Sequence, residues 1–141
     1  MIVNGTDQMN GADRARATAA IARSVEAPAR ATIALGVAAD SGVTVRWRVD
    51  GAPDDARVVV VLVDREATTK VRAGENNGKT LVHANVVRAM ATGSPSEDGA
   101  RLDVPSDVDR AHAEIVAWVQ RGGSGVRPIL AATRAAFPSG R

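Results

Sequence analysis

Val58-Val59-Val60-Val61-Leu62-Val63 is the stretch on which the fold turns. This unbroken aliphatic run leaves no polar position for water on either side, as expected of a central strand covered on both faces. It is preceded by the turn-forming cluster Asp50-Gly51-Ala52-Pro53-Asp54-Asp55. Before that cluster, Val43, Val45, Trp47 and Val49 alternate strictly with Thr44, Arg46, Arg48 and Asp50, the period of a strand with one wet face. Ile33, Leu35 and Val37 alternate with smaller residues in the same way and predict another such strand.

Downstream, Arg65 to Val71 either continues the central strand or bends away from it, and Gly74-Glu75-Asn76-Asn77-Gly78 is a polar loop. Thr80 to Met90 admits two readings. As a strand it sets Val82, Ala84 and Val86 against His83, Asn85 and Val87; as a helix it aligns Leu81, Ala84 and Arg88. The strand is the preferred reading. Thr92 to Gly99 reads as a loop, and Leu102–Val104, Ala113–Val119 and Arg127–Thr133 as strands, with Pro128 at a strand start or sheet edge.

Residues 1–30 have a different character. Ile2-Val3, Asn4-Gly5 and then Gln8 to Gly11 predict a short hairpin, because Asn-Gly accepts the positive φ of such turns. Asp13 can cap a helix to about Val25, with Ala17, Ile21 and Val25 on one face and Pro28 opposing continuation. The expected fold class is therefore α+β and mostly β: a hairpin and one helix over residues 1–30, then an antiparallel β-sandwich-like module over 31–141. About seven short strands fit a sandwich better than a doubly wound fold, which needs helices between its strands.

Composition narrows the function classes. The chain has 141 residues, with Trp47, Trp118 and Phe137 as its only aromatics, so Val, Ala, Leu and Ile must fill the core. The net charge of +2 is spread among aspartates rather than gathered into a run, so no nucleic-acid footprint is expected. With no cysteine, the chain has no disulfide, no thiolate nucleophile and no Cys-based metal site. Neither a basic start leading into an apolar stretch nor an apolar run of about 18 residues is found. The chain as written is expected to be soluble, without a membrane span, and cytoplasmic if made in this form.

Several groups of residues invite a chemical reading. Ala73-Gly74-Glu75-Asn76-Asn77-Gly78-Lys79-Thr80 approaches the P-loop pattern, with alanine in place of the first glycine. A P-loop lies directly between a buried strand and a helix, whereas here about ten residues separate Val63 from the glycines and no βαβ unit follows. Arg65, Glu75, Asn76, His83, Asn85 and Arg88 form the densest polar cluster and are the candidate binding residues. A loop folded over the sheet would let Glu75 and His83 converge as an acid/base pair, giving a ligand-binding or enzymatic site at Gly74–Gly78 with Arg65 and His83. The plainer reading is that Glu75 and Asn76 hydrogen-bond their own loop while His83 sits on a partly exposed strand. His112 beside Glu114 reads as a solvated side chain, and no metal site or cofactor is expected. No serine sits in a G-x-S-x-G elbow, and Gly122-Gly123-Ser124-Gly125 reads as a flexible turn. Arg46 and Arg48 share one solvent face, where an anion or acidic partner could meet them, though such a stripe is more often simply wet surface.

Val61-Leu62-Val63-Asp64-Arg65, Gly74-Glu75-Asn76-Asn77-Gly78-Lys79-Thr80-Leu81 and Asn85-Val86-Val87-Arg88 resemble, in order, elements of a bacterial exported family, domain of unknown function 1223. Ile2-Val3-Asn4-Gly5 with Gly11-Ala12-Asp13-Arg14-Ala15, and Val119-Gln120 with Ile129-Leu130-Ala131-Ala132, extend the resemblance over nearly the whole chain. The resemblance implies a thioredoxin-like module with a cysteine motif near its N-terminus, followed by a β-rich module, in a periplasmic or secreted protein. Residues 1–30 are then expected to be a remnant of the first module, with its cysteine-bearing part absent and no redox residue to carry onto this chain. The expected function is that of a non-catalytic accessory, structural or binding module. Its expected partner is the thioredoxin-like half or another envelope protein; thiol–disulfide activity would require that half, and the oligomeric state is left open. The apolar faces of the hairpin and helix are expected to be exposed or repacked on the β module.

Overall fold

The computed structural model describes residues 1–39 and 42–138, so 139–141 of the expected β module lie outside the described residues. Among the described residues, in chain order, are β1 (Ile2–Val3), β2 (Asp7–Gln8), α1 (Arg14–Glu26), β3 (Thr32–Ala39), β4 (Val43–Asp50), β5 (Arg57–Lys70), β6 (Thr80–Gly93), β7 (Gly99–Leu102), β8 (Ala113–Gln120) and β9 (Ile129–Ala136). The strands form a hairpin β1-β2, a small sheet β3-β4-β7 and a large sheet β6-β5-β8-β9, with every pairing antiparallel.

The two larger sheets face each other across one apolar core. From the small sheet come Val43, Val45 and Trp47; from the large sheet come Val58, Val60, Leu62, Ile115, Ala117 and Val119. Strict alternation decides which side chains enter: the odd positions of β8 from Ala113 to Val119 are buried and the even ones only partly so. Small side chains let the layers approach closely, and the one indole among these residues needs special room. A Cβ at Gly93 would lie 2.7 Å from the Trp47 ring, so the glycine makes the space, and Trp47 Nε1 donates to the Ser94 carbonyl at 3.2 Å. Burying each Val or Leu here contributes about 1.5–3 kcal/mol before the entropy of ordering is subtracted.

Thr80 to Met90 is a strand, the reading its alternation favoured, and Arg65 to Lys70 does continue β5. Two strand limits move. Residues near 102 pair from Gly99 rather than running to Val104, and the last strand spans Ile129–Ala136, starting after Pro128, which has no N–H for the ladder. The central strand is shielded on both faces over most of the run: its inner side meets the small sheet, and on its outer side Val61 and Val63 are only 3% and 6% exposed, at the floor of a depression of about 520 Å³ walled by residues of β5, β6, β8 and β9.

In the N-terminal unit, Thr6 N–H bonds the Val3 carbonyl at 3.1 Å, with Asn4 at φ 51° and Gly5 at φ 74°, as a primed turn requires. The second strand of this hairpin is Asp7–Gln8, ahead of the expected position. Ile129 N–H reaches the Asn4 carbonyl at 3.0 Å, which fastens this turn to the start of β9. Asp13 caps α1 by accepting from Arg16 N–H at 3.0 Å, as its position predicts. The expected stripe of Ala17, Ile21 and Val25 does not face a core: Ala20 is the helix residue that is buried, while Ile21 is 50% and Val25 79% exposed. The helix lies against β1, a two-residue strand too small to cover a full helical face.

Candidate functional site

Strand β8 pairs with β5 only from Arg57 to Asp64, whereas β6 pairs with β5 as far as Lys70. Beyond Asp64 the two strands therefore leave the sandwich as a two-stranded arm about 20 Å long, at about 3.4 Å per residue. Three of the six candidate residues, Glu75, Asn76 and His83, lie on this arm; Arg65, Asn85 and Arg88 lie at its base.

The base is built by a register break. Leu62 pairs with Ala89 but Val63 pairs with Val87, which leaves Arg88 as the extra residue of a β-bulge. Its guanidinium reaches Asp64 at 3.4 Å and Asp107 at 2.7 Å. Asp64 continues the inward parity of Val58, Val60 and Leu62 and is 4% exposed, so its charge needs partners: Arg88 on one oxygen and Glu66 N–H, at 3.3 Å, on the other. Arg88's hydrogen bond and charge hold the exposed Asp107 carboxyl below its ordinary value of 3.8.

On the other strand, Arg65 N–H donates to the His112 carbonyl at 3.0 Å, its Nε to the same oxygen at 3.2 Å, and its terminal nitrogen to the Ala111 carbonyl at 3.3 Å. The segment between β7 and β8 is thus gripped twice, by Arg88 through Asp107 and by Arg65 through two carbonyls. Within that segment His112 pairs with Asp109 at 2.8 Å, and this hydrogen bond holds the Asp109 carboxyl below 3.8. Asn85 takes φ 55°, a left-handed conformation that asparagine tolerates, where the ribbon leaves the body.

The tip is closed by its own backbone: Asn77 N–H to Gly74, Gly78 N–H to Val71 and Lys79 N–H to Asn76, each at 3.0 Å. Gly74 at φ 80° and Gly78 at φ 82° supply the conformations this requires. Lys79 Nζ bonds the Asn76 side chain at 3.1 Å. The tip joins two antiparallel strands and leads into β6, not into the helix that a P-loop precedes. His83 stands opposite Ala67, about 10 Å down the ribbon from Thr80, and Glu75 remains at the tip; the two are not brought together.

The structure thus brings Arg65, Asn85 and Arg88 to the arm base and leaves Glu75, Asn76 and His83 further out. Asp64 and Asp107 belong to the base but were not among the sequence candidates; the inward parity of Asp64 was the available signal. Beside the base, a pocket of about 460 Å³ is lined by Arg65, Arg110, Arg134 and Glu114 among others, with Arg110 5.8 Å from the Phe137 ring centre. Its guanidinium groups suit a carboxylate or other anion better than a cation. Among the described residues no cluster of His, Asp and Glu could hold a metal ion, and no helix is long and apolar enough to cross a membrane.

No curated protein and no solved structure matches the chain. A family described as protein of unknown function (DUF1223) matches residues 1–120, from the hairpin through both strands of the arm to the end of β8. That match takes in every residue of the arm and its base, and the chain belongs to the DUF1223 family.

Proposed function

We propose that this chain is a non-catalytic binding module that holds a thioredoxin-like partner module, in the same or a separate polypeptide, in the cell envelope. The observation that carries the reading is the bare face of the N-terminal unit. Ile21 and Val25, one turn apart on α1, are 50% and 79% exposed, and Ile2 on the strand beside the helix is 67% exposed. Exposed aliphatic side chains grouped on one small unit favour a partner over water. The resemblance to thioredoxin-like exported proteins supplies the class of partner. With no cysteine in the chain, thiol chemistry would reside in that partner.

The arm base supports a structural rather than a catalytic use of its charged groups. Arg65 and Arg88 are bound to the chain's own carbonyls and carboxylates, and Asp64 is fully engaged. The test is calorimetric titration of the chain with a cysteine-bearing thioredoxin-like module from a longer family member. Saturable binding, weakened about tenfold or more by Val25→Glu, is expected. Absence of binding at about 100 μM of both components would sink the reading.

A further inference from the structure

We infer that the recess where β5 parts from β8, beside the end of β9, is a binding site for a small organic dianion: a dicarboxylate or a phosphate monoester. Its volume of about 460 Å³ is in the range of small-molecule sites. Three guanidinium groups line it, each from a different part of the chain: Arg65 on β5, Arg110 on the segment between β7 and β8, and Arg134 on β9. Glu114 is the one carboxylate in the lining, so three positive charges stand against one negative. Like charges gathered in one recess repel each other, at a cost that an anion between them removes. The acidic side chains of the neighbouring segment do not supply that anion, because Asp107 is held by Arg88 and Asp109 by His112.

Two of the three guanidinium groups are already ordered. Arg65 is fixed through Nε and one terminal nitrogen to the carbonyls of His112 and Ala111, which leaves its other terminal nitrogen without a partner among the described residues. Arg110 lies 5.8 Å from the centre of the Phe137 ring, and that ring is only 5% exposed, so the guanidinium rests on a fixed wall. Arg134 has no ion pair or hydrogen bond among the described residues and is free to close on a ligand. Donors held in place beforehand lose little rotamer entropy on binding, and their planar forks take carboxylate and phosphate oxygens in pairs.

Size and lining select the ligand. Between the charges stand Ala111, Ala113, Ala135 and Ala136, whose single methyl groups leave the recess open. One water occupies about 30 Å³, so the space exceeds what a bare inorganic ion fills and suits a charged group carried on an organic body. The net charge of the lining, three positive and one negative, matches two negative charges on that body. Arg46 and Arg48 make the contrast: both are exposed on one strand of the small sheet. No residue of the hairpin or of α1 lines the recess, so this site stands or falls independently of the thioredoxin-like partner.

NMR titration of the isotope-labelled full chain at fixed ionic strength tests it, with succinate and glycerol 2-phosphate as the organic dianions and inorganic phosphate as the bare ion. The amides of Ala111, Ala135 and Ala136 should shift saturably, with a dissociation constant of about 1 mM or below for at least one organic dianion. The tighter of the two identifies the charged group. Arg134→Gln and Arg110→Gln should each weaken binding about tenfold, Glu114→Gln should tighten it about threefold, and Arg46→Gln should leave it unchanged. Circular dichroism of each variant checks its fold, and Arg134→Gln, at an exposed position, keeps the test sound if Arg110→Gln disturbs the wall at Phe137. No saturation by either organic dianion up to about 20 mM, inorganic phosphate binding as tightly as both, or a loss at Arg46→Gln equal to that at Arg134→Gln would each overturn the inference.

Discussion

Strands β5 and β6 pass through two environments, and the contrast between them explains the molecule. From Val58 to Asp64, β5 is paired on both edges and its inward side chains are buried. From Glu66 to Lys70 it is paired on one edge only, and most of its side chains face water. An isolated two-stranded ribbon is marginal in water. What holds the arm is its root: the Arg88 bulge, the buried Asp64 and the double grip on the segment before β8. The body is stabilised by burial, the arm by a few charged hydrogen bonds at one end.

The sharpest break of that contrast comes from the body. Ile115→Ala or Leu62→Ala removes a fully buried side chain and should destabilise by about 2–5 kcal/mol, read by urea denaturation. Next comes the root. Arg88→Met strands the Asp64 carboxylate in a buried site and should cost about 3 kcal/mol, with part of the loss recovered in the double variant with Asp64→Asn. A third effect is acid lability at the root. Asp107 and Asp109 are both held below their ordinary 3.8 in the folded chain, so each favours folding above that value and loses its contribution as pH falls through the lowered one. Stability should therefore decline more steeply below about pH 4 in the wild type than in Asp107→Asn, followed by thermal melts across that range. The smallest effect belongs to the tip: Glu75→Ala should change stability by no more than about 0.5 kcal/mol.

The body was legible in the sequence because alternation has a physical cause. Val43 to Asp50 and Ala113 to Gln120 each present one side to the core, and two-residue periodicity records it directly. The hairpin turn and the Asp13 cap were legible for a similar reason, since Asn-Gly and a pre-helical Asp act within a few residues of themselves.

The root of the arm was not legible. A bulge depends on the register between two strands, and nothing local in Asn85-Val86-Val87-Arg88 says which residue goes unpaired. Arg65 and Arg88 were identified as polar candidates, but their partners lie at Asp64, Asp107 and the carbonyls of 111 and 112. That assembly exists only after the segment between β7 and β8 has folded against the sheet. The unbroken run Val58 to Val63 announced that both faces avoid water, and Val60, Val61, Leu62 and Val63 are indeed all buried, but apolarity alone does not say what shields each face. The small sheet covers the inner face, and side chains of neighbouring strands of the same sheet wall the outer one.

Native-state hydrogen exchange tests the division of β5 and β6 most directly. Amides of Val58, Val60 and Leu62 should exchange only through global unfolding, while Glu66, Thr68, Val82 and Ala84 should exchange through a local opening that Arg88→Met makes markedly easier. Arm amides as protected as those of the body, and unmoved by Arg88→Met, would contradict the account.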